Sequence, residues 1–281
     1  WIQPAAGDSG GALGAALAYI YKEKSIIRKI KNDDQMHSSY LGPSFSNSQI
    51  EDYLKTFQIP YTFYENDELF YETAKYLSNG KVVGWFQDRM EYGPRALGNR
   101  SILGDPRITN MQKTMNLKIK NRESFRPFAP AVLESHKNDL FGIEYNSPYM
   151  LLTRNLSKKY LKDLDPKENY NGVEKVNQIR STFPAITHID NSCRLQTVSE
   201  SRNPKFHKLI SKFYELTGCP ALINTSFNVR GEPIVCTPED ATRCFIHTEI
   251  DILVIGSYII KKESIPSGIS SKFLKQQLVE D

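Results

Sequence analysis

Met90-Glu-Tyr-Gly-Pro-Arg-Ala-Leu-Gly-Asn-Arg-Ser-Ile-Leu-Gly-Asp-Pro-Arg107 is the stretch around which the rest of this chain reads. Gly93, Pro94 and Gly98 surround Arg95, and Arg100 and Arg107 follow. Cations among backbone-permissive residues suit a loop that wraps an anion: glycine lets the main chain turn its N–H groups inward, and guanidinium offers bidentate donors to phosphate or carboxylate. Val82-Val-Gly-Trp-Phe86 reads as a short buried strand delivering the chain into this loop. Lys118-Ile-Lys-Asn-Arg-Glu-Ser-Phe-Arg-Pro-Phe-Ala-Pro130 is a second basic cluster running into an apolar segment. On composition alone, a solvated basic surface with turn glycines is the alternative.

At 281 residues the chain can bury a large core in one or two domains. Its 40% hydrophobic and 24% charged residues suit a globular protein, and a net charge of +4 fits an anionic small molecule without a long Lys/Arg tract that would favour nucleic acid. Cys193, Cys219, Cys236 and Cys244 form no C-x-x-C pair, so reduced cytoplasmic thiols are expected rather than a disulfide framework or zinc site. No apolar run approaches the roughly 20 residues needed to cross a bilayer. Starting at Trp1 directly in a glycine-rich run, the sequence reads as the interior of a longer protein.

In chain order, Gly7, Gly10, Gly11 and Gly14 lead into Ala15-Ala-Leu-Ala-Tyr-Ile-Tyr-Lys, with Asp8 and Ser9 where an N-cap belongs. A glycine-rich loop opening a helix suits phosphate, while close helix packing explains the same glycines. Residues 29–47 read as a linker. Helices are expected over Ser48–Phe57, Leu69–Leu77, from Asp105–Pro106 through Met115, over Pro204–Leu216 and from Thr237 onward. Strands are expected at Phe128–Leu133, Tyr149–Leu152, Pro184–Ile189, Leu195–Val198, from Pro220 and over Asp251–Ile260. Residues 155–180 read as a polar excursion and Lys261–Asp281 as a polar tail. Alternating strands and helices indicate α/β layering.

Three polar loops at strand ends, Arg95–Arg107, Cys193–Arg194 and Asn224–Glu232, can share one pocket containing Arg95, Lys120, Arg126, Arg194, Ser226, Asn228 and Arg230, opposed at most by Glu232. So many fixed cations suit phosphate or polyphosphate. There is no G-x-S-x-G, H-E-x-x-H or Walker A sequence. Cys193 beside Arg194 reads as an activated thiol or a small buried residue, His188 as a satisfied strand histidine or a catalyst, and Phe125, Phe128 and Phe227 as base-stacking or core residues.

The runs Gly84–Leu103, Arg122–Leu133 and Asn224–Asp240 resemble the C-terminal region of the NodU/CmcH/TobZ-type carbamoyltransferases, and Pro4–Ala16 resembles the end of their N-terminal domain. The resemblance implies a YrdC-like α/β domain, a twisted mixed sheet with flanking helices, over residues 43–261. It would be preceded by a remnant of an actin-like (ASKHA) domain with linker over 1–42 and followed by a tail over 262–281. It also implies that carbamoyl phosphate and ATP with Mg²⁺ give carbamoyl adenylate and pyrophosphate, the carbamoyl group then passing to a hydroxyl of a sugar or other natural product. By motif position Arg95, Lys120, Arg126 and Arg194 would be catalytic, Ser226 and Asn228 would bind substrate, and Arg230 would approach the nucleotide phosphates. Asp8 matches an aspartate that helps bind a divalent metal, commonly iron, in the actin-like domain; the histidine partners would lie upstream of Trp1. A cytoplasmic enzyme, compatible with a homodimer, is expected. Threonylcarbamoyl-adenylate synthesis for tRNA and a non-enzymatic RNA-binding module are the alternatives.

Overall fold

The structure, a computed structural model, describes residues 2–30, 34–164, 172–269 and 273. Its strands are β1 (Thr62–Phe63), β2 (Val83–Phe86), β3 (Arg100–Gly104), β4 (Ala129–Leu133), β5 (Leu152–Asn155), β6 (Ser192–Val198), β7 (Ala221–Ser226), β8 (Ile252–Ile255) and β9 (Tyr258–Lys261). The helices are α1 (Asp8–Ala18), α2 (Asn47–Thr56), α3 (Asn66–Ser78), α4 (Met111–Thr114), α5 (Lys137–Phe141), α6 (Pro204–Thr217) and α7 (Pro238–His247). The strands form one mixed sheet in the order β1-β9-β8-β2-β3-β7-β4-β6-β5, so the α/β architecture with a mixed sheet and flanking helices is as expected.

Local chemistry sets the helix ends. Ser46 and Gln49 form a capping box at α2, as Thr237 and Asp240 do at α7. Asn203 caps α6, whose far end closes on Gly218 at φ +69°. Helices α3 and α6 pack against each other, and their buried faces include Phe70, Leu77, Phe206, Leu209 and Phe213. Every residue of β2, β3, β4 and β8 is buried. Such strands, covered on both faces, need near-continuous apolar runs rather than alternation.

Several elements depart from the sequence reading. Arg100–Gly104, expected within a loop, is a central strand, recruited by antiparallel pairing to β2 on one side and β7 on the other. The helix expected from Asp105 begins at Met111, because Asp105 instead accepts the Arg107 N–H at 2.9 Å and holds that arginine's side chain. Pro184–Ile186 is a single 3₁₀ turn, not a strand. Asp251–Ile260 is two strands, β8 and β9, folded back at Gly256, φ +56°. Cys193 and Arg194 lie inside β6 rather than in a loop. Gly7, not Asp8 or Ser9, occupies the N-cap of α1, which buries none of its residues.

Part of the linker (31–33), part of the polar excursion (165–171) and most of the tail (270–272 and 274–281) lie outside the described residues. The described remainder of the linker is tied to the sheet region. The Tyr40 hydroxyl donates to Leu97 O at 3.0 Å, and Asp34 accepts from the Tyr149 hydroxyl at 2.6 Å and from Arg202 at 2.9 Å. No helix among the described residues is long and apolar enough to cross a membrane.

Candidate active site

The sheet pairing brings distant segments to one end. β7 runs antiparallel to both β3 and β4, with Ser226 opposite Ser101 and Asn224 opposite Ala129, while β6 runs parallel to β4. The end of β7 therefore lies beside the beginnings of β3, β4 and β6. Onto that end come the loop holding Arg95, the turn holding Lys120 and Arg122, Arg194 near the start of β6, and Ser226. In an all-parallel sheet the carboxyl ends of strands gather ligands. Here the mixed sheet contributes three strand beginnings and one strand end.

Between them is a cavity of about 130 Å³ lined by Arg95, Arg122, Arg194, Asn224, Thr225 and Ser226 together with Phe128 and Met150. No Asp or Glu is among its lining residues. Arg95 Nε is buried without a hydrogen-bond partner, and so is Asn224 Oδ1. Asn224 Nδ2 donates to Gln196 Oε1 at 2.8 Å and Ala96 O at 3.2 Å, which locks its orientation. Arg122 Nε donates to Asn116 Oδ1 at 2.7 Å, and its guanidinium lies 5.0 Å from the Phe128 ring centroid. Burial lowers the Arg194 guanidinium to about 10, and its neighbours Arg95 and Arg122 push the same way. Burial likewise lowers Arg122, with Arg126 adding and Glu123 opposing. Cations that depress one another in a recess free of carboxylates are relieved by a bound anion.

Lys120 stands behind this cavity. It is 4% exposed, and its ammonium donates to Ser226 O, to Asn228 O at 2.9 Å and to Asn228 Oδ1 at 2.8 Å. Ser226 Oγ donates in turn to Asn228 Oδ1 at 2.7 Å, and Asn228 Nδ2 to Glu232 O at 2.7 Å. Burial pushes the ammonium down to about 7, the Arg122 charge adds to that, and Cys244 opposes it. The lysine thus shapes the turn after β7, and its donors are committed to the protein.

Of the residues singled out from sequence, Arg95, Arg194 and Ser226 meet in the cavity, and Lys120 and Asn228 are joined to it through Ser226. Arg126 is exposed and paired with Glu123 at 3.0 Å; Arg230, 66% exposed, lies 3.7 Å from the same carboxylate. Arg100 and Arg107, the other cations of the opening stretch, serve the protein. Arg100 is fully buried and donates to four backbone oxygens, whereas Arg107 pairs with Asp105. Arg122, Asn224 and Thr225 are the polar cavity residues that sequence reasoning passed over. The two-residue spacing from Lys120 to Arg122 was the available signal, but only the fold turns Arg122 inward.

Phe227 is core, lying directly beneath Gly84, where an added Cβ would fall 2.7 Å from the ring. Phe128 is buried at the cavity, and Phe125 is exposed. Phe125 and the half-buried His188 line a neighbouring cavity of about 420 Å³ that also holds Gln112 and Arg180 and shares Pro127 with the first. Burial lowers His188, with Arg194 adding and Asp190 opposing. Burial pushes the Cys193 thiol up to about 12, leaving it inert as a nucleophile. Asp8 is exposed, and no group of three or more His, Cys, Asp or Glu that could hold a metal ion occurs among the described residues. The described residues by themselves complete no metal site around Asp8.

Residues 74–262 match the family described as "Carbamoyltransferase C-terminus". An uncharacterized protein, sll1178, of Synechocystis sp. is 54% identical over 95% of this chain and 44% of its own length. The nodulation protein NolO of Bradyrhizobium diazoefficiens is 38% identical over 93% of this chain and 44% of its own. The 3'-hydroxymethylcephem-O-carbamoyltransferase of Amycolatopsis lactamdurans is 32% identical over 91% of this chain and 42% of its own. This chain therefore spans less than half the length of each of these relatives. Among solved structures, full-length HypF in a phosphate- and nucleotide-bound form overlays 70% of this chain and 22% of that chain with a TM-score of 0.42 at 15% identity, a likeness on which nothing further rests. The family match over most of the sheet and all of the cavity's walls places this chain in the carbamoyltransferase C-terminus family.

Proposed function

We propose that this chain carries the adenylating part of an O-carbamoyltransferase. The observation that carries the reading is the convergence of Arg95, Arg122 and Arg194 on one cavity without a lining carboxylate. Carbamoyl phosphate and ATP are both strongly anionic, and their approach requires that charge to be cancelled by fixed donors. Water attacking carbamoyl phosphate releases inorganic phosphate and leaves carbamate. A carbamate oxygen then attacks the α-phosphorus of ATP, the bond to the β-phosphate oxygen breaks, and pyrophosphate leaves carbamoyl adenylate behind.

In this reading Arg95, Arg122 and Arg194 hold the phosphoryl oxygens. Ser226, oriented by Asn228 and Lys120, supplies a hydroxyl at the rim, and the open Asn224 Oδ1 accepts from the carbamoyl amide. The nucleotide body extends past Pro127 into the neighbouring cavity beside Phe125 and His188. Mg²⁺ arriving with ATP would supply further charge cancellation. The recess limits water around the labile adenylate.

The domain layout follows the same reading. Residues 43–261 form the adenylating unit and 1–42 the end of a carbamoyl-transfer domain. The acceptor is a hydroxyl of a small molecule, as the name of the Amycolatopsis relative states for that enzyme. Exchange of labelled pyrophosphate into ATP tests the proposal. It should depend on carbamoyl phosphate and be indifferent to threonine with bicarbonate. Exchange driven by threonine and bicarbonate instead would assign the chain to threonylcarbamoyl-adenylate chemistry, and the absence of exchange under both conditions would remove the adenylating role.

A further inference from the structure

Glu91 lies on the loop that carries Arg95 and is only 4% exposed. Its Oε1 accepts three backbone N–H groups, from Leu97 at 2.6 Å, Asn99 at 2.8 Å and Arg100 at 3.3 Å. Oε2 is buried with no hydrogen-bond partner. One oxygen therefore closes the chain from 91 to 97 into a ring that contains Pro94 and Arg95. Glycines of positive φ stand on both sides of the arginine, Gly93 at φ +123° inside the ring and Gly98 at φ +109° just beyond it. The carbonyls of the same segment are held from the other side. Asn224 donates to Ala96 O, and Tyr40 and Gln196 both donate to Leu97 O.

Arg100 cannot do this work. Its guanidinium collects the carbonyls of Gln87, Asp88, Asn99 and Pro43, which flank the ring and leave residues 92–98 untouched. What Arg100 requires from Glu91 is charge. It is fully buried, and the Glu91 carboxylate is the foremost group opposing the cost of that burial. Two demands thus fall on one side chain: an acceptor oxygen for the ring and a negative charge for the buried guanidinium.

We propose that Glu91 is a positioning residue that acts through Arg95, its Oε1 holding the loop in the form that delivers Arg95 to the anion cavity, while its charge serves the stability of Arg100. The inference rests on the reading of that cavity as a phosphoryl site. The two roles separate on substitution, because a glutamine keeps the acceptor oxygen and gives up the charge, whereas an alanine gives up both.

The test uses inorganic phosphate as the probe, titrated calorimetrically into the whole chain and into Glu91→Gln, Glu91→Ala, Arg95→Ala and the Glu91→Ala/Arg95→Ala double variant, with Tm recorded for each. Glu91→Gln should melt earlier than the parent yet bind phosphate within about twofold of it, while Glu91→Ala should bind about tenfold more weakly. The double variant should bind no more weakly than Arg95→Ala alone. Where Glu91→Ala does not fold, Glu91→Asp, one methylene short of the ring N–H groups, replaces it with the same expectation. Parental affinity in the alanine or aspartate variant, a glutamine variant as weak as alanine, or losses that multiply in the double variant would each overturn the inference alone. Failure of the parent chain to bind phosphate would overturn the phosphoryl-site reading and the inference with it.

Discussion

Lys120 and Asn228 meet through two hydrogen bonds, from Nζ to the backbone oxygen at 2.9 Å and to Oδ1 at 2.8 Å, in surroundings that leave the lysine 4% exposed. The ammonium falls from its ordinary 10.5 to about 7, burial being the largest cause. Between those values the unfolded chain binds a proton that the folded chain does not. Folding is therefore favoured progressively as pH rises above 7, and the full cost of burial is present below it. Relative to Lys120→Met, the parent chain should gain about 3 kcal/mol of stability between pH 6 and pH 9. Urea melts of both proteins at the two pH values measure this, and a constant difference between them would contradict a titrating Lys120.

Arg122 and Arg126 lie four positions apart, yet one lines the cavity and the other is half exposed against Glu123. Arg122→Ala should lower carbamoyl-phosphate-dependent pyrophosphate exchange by about 2–4 kcal/mol of transition-state stabilisation, as should Arg95→Ala and Arg194→Ala. Arg126→Ala should cost under about 1 kcal/mol, in line with an exposed ion pair. Steady-state exchange rates on folded variants decide it. Equal losses at 122 and 126 would mean that the cavity does not define the site.

Gly98 carries a φ of +109°, and a Cβ placed on it would stand 2.2 Å from the Phe206 ring in the core of α6. Its carbonyl also accepts the Trp85 indole N–H at 2.9 Å. Gly98→Ala should therefore destabilise the fold by about 3 kcal/mol, combining backbone strain with overpacking. A denaturation midpoint within experimental error of the parent would refute this account of the loop.

At the head of α7, Thr237 Oγ1 accepts the Asp240 N–H at 3.2 Å while Asp240 Oδ2 accepts the Thr237 N–H at 3.0 Å. Thr237→Ala should cost about 1 kcal/mol in a urea melt and leave pyrophosphate exchange per folded molecule unchanged. A larger effect on exchange than on stability would tie α7 to the site directly.

The helices α2, α6 and α7 are legible in the sequence because their signals are local: a capping serine, asparagine or threonine, an apolar face at helical spacing and, for α6, Gly218. β3 is not, since Arg100-Ser-Ile-Leu-Gly104 opens with a charge and has only two large apolar residues; its strand form comes from neighbours distant in the chain, β2 and β7. The same limit governs the site. Arg95, Arg194 and Ser226 carry motif chemistry that can be read in one dimension, but Arg122 is turned inward by Asn116 and Phe128. Nor can spacing separate Arg100, whose guanidinium donates to four backbone carbonyls, and Arg107, paired with Asp105, from Arg95, which lines the cavity.

The strand order also decides which pieces of this polypeptide can exist alone. β7, beginning at residue 221, is the divider between β3 and β4, and β8, beginning at residue 252, pairs with β2 on its outer side. A product truncated after α6 would possess every arginine of the cavity and still have nothing to hold β3 beside β4. Arg95, Arg122 and Arg194 all precede β7, but the surface on which they meet is completed only once β7 and β8 have been made.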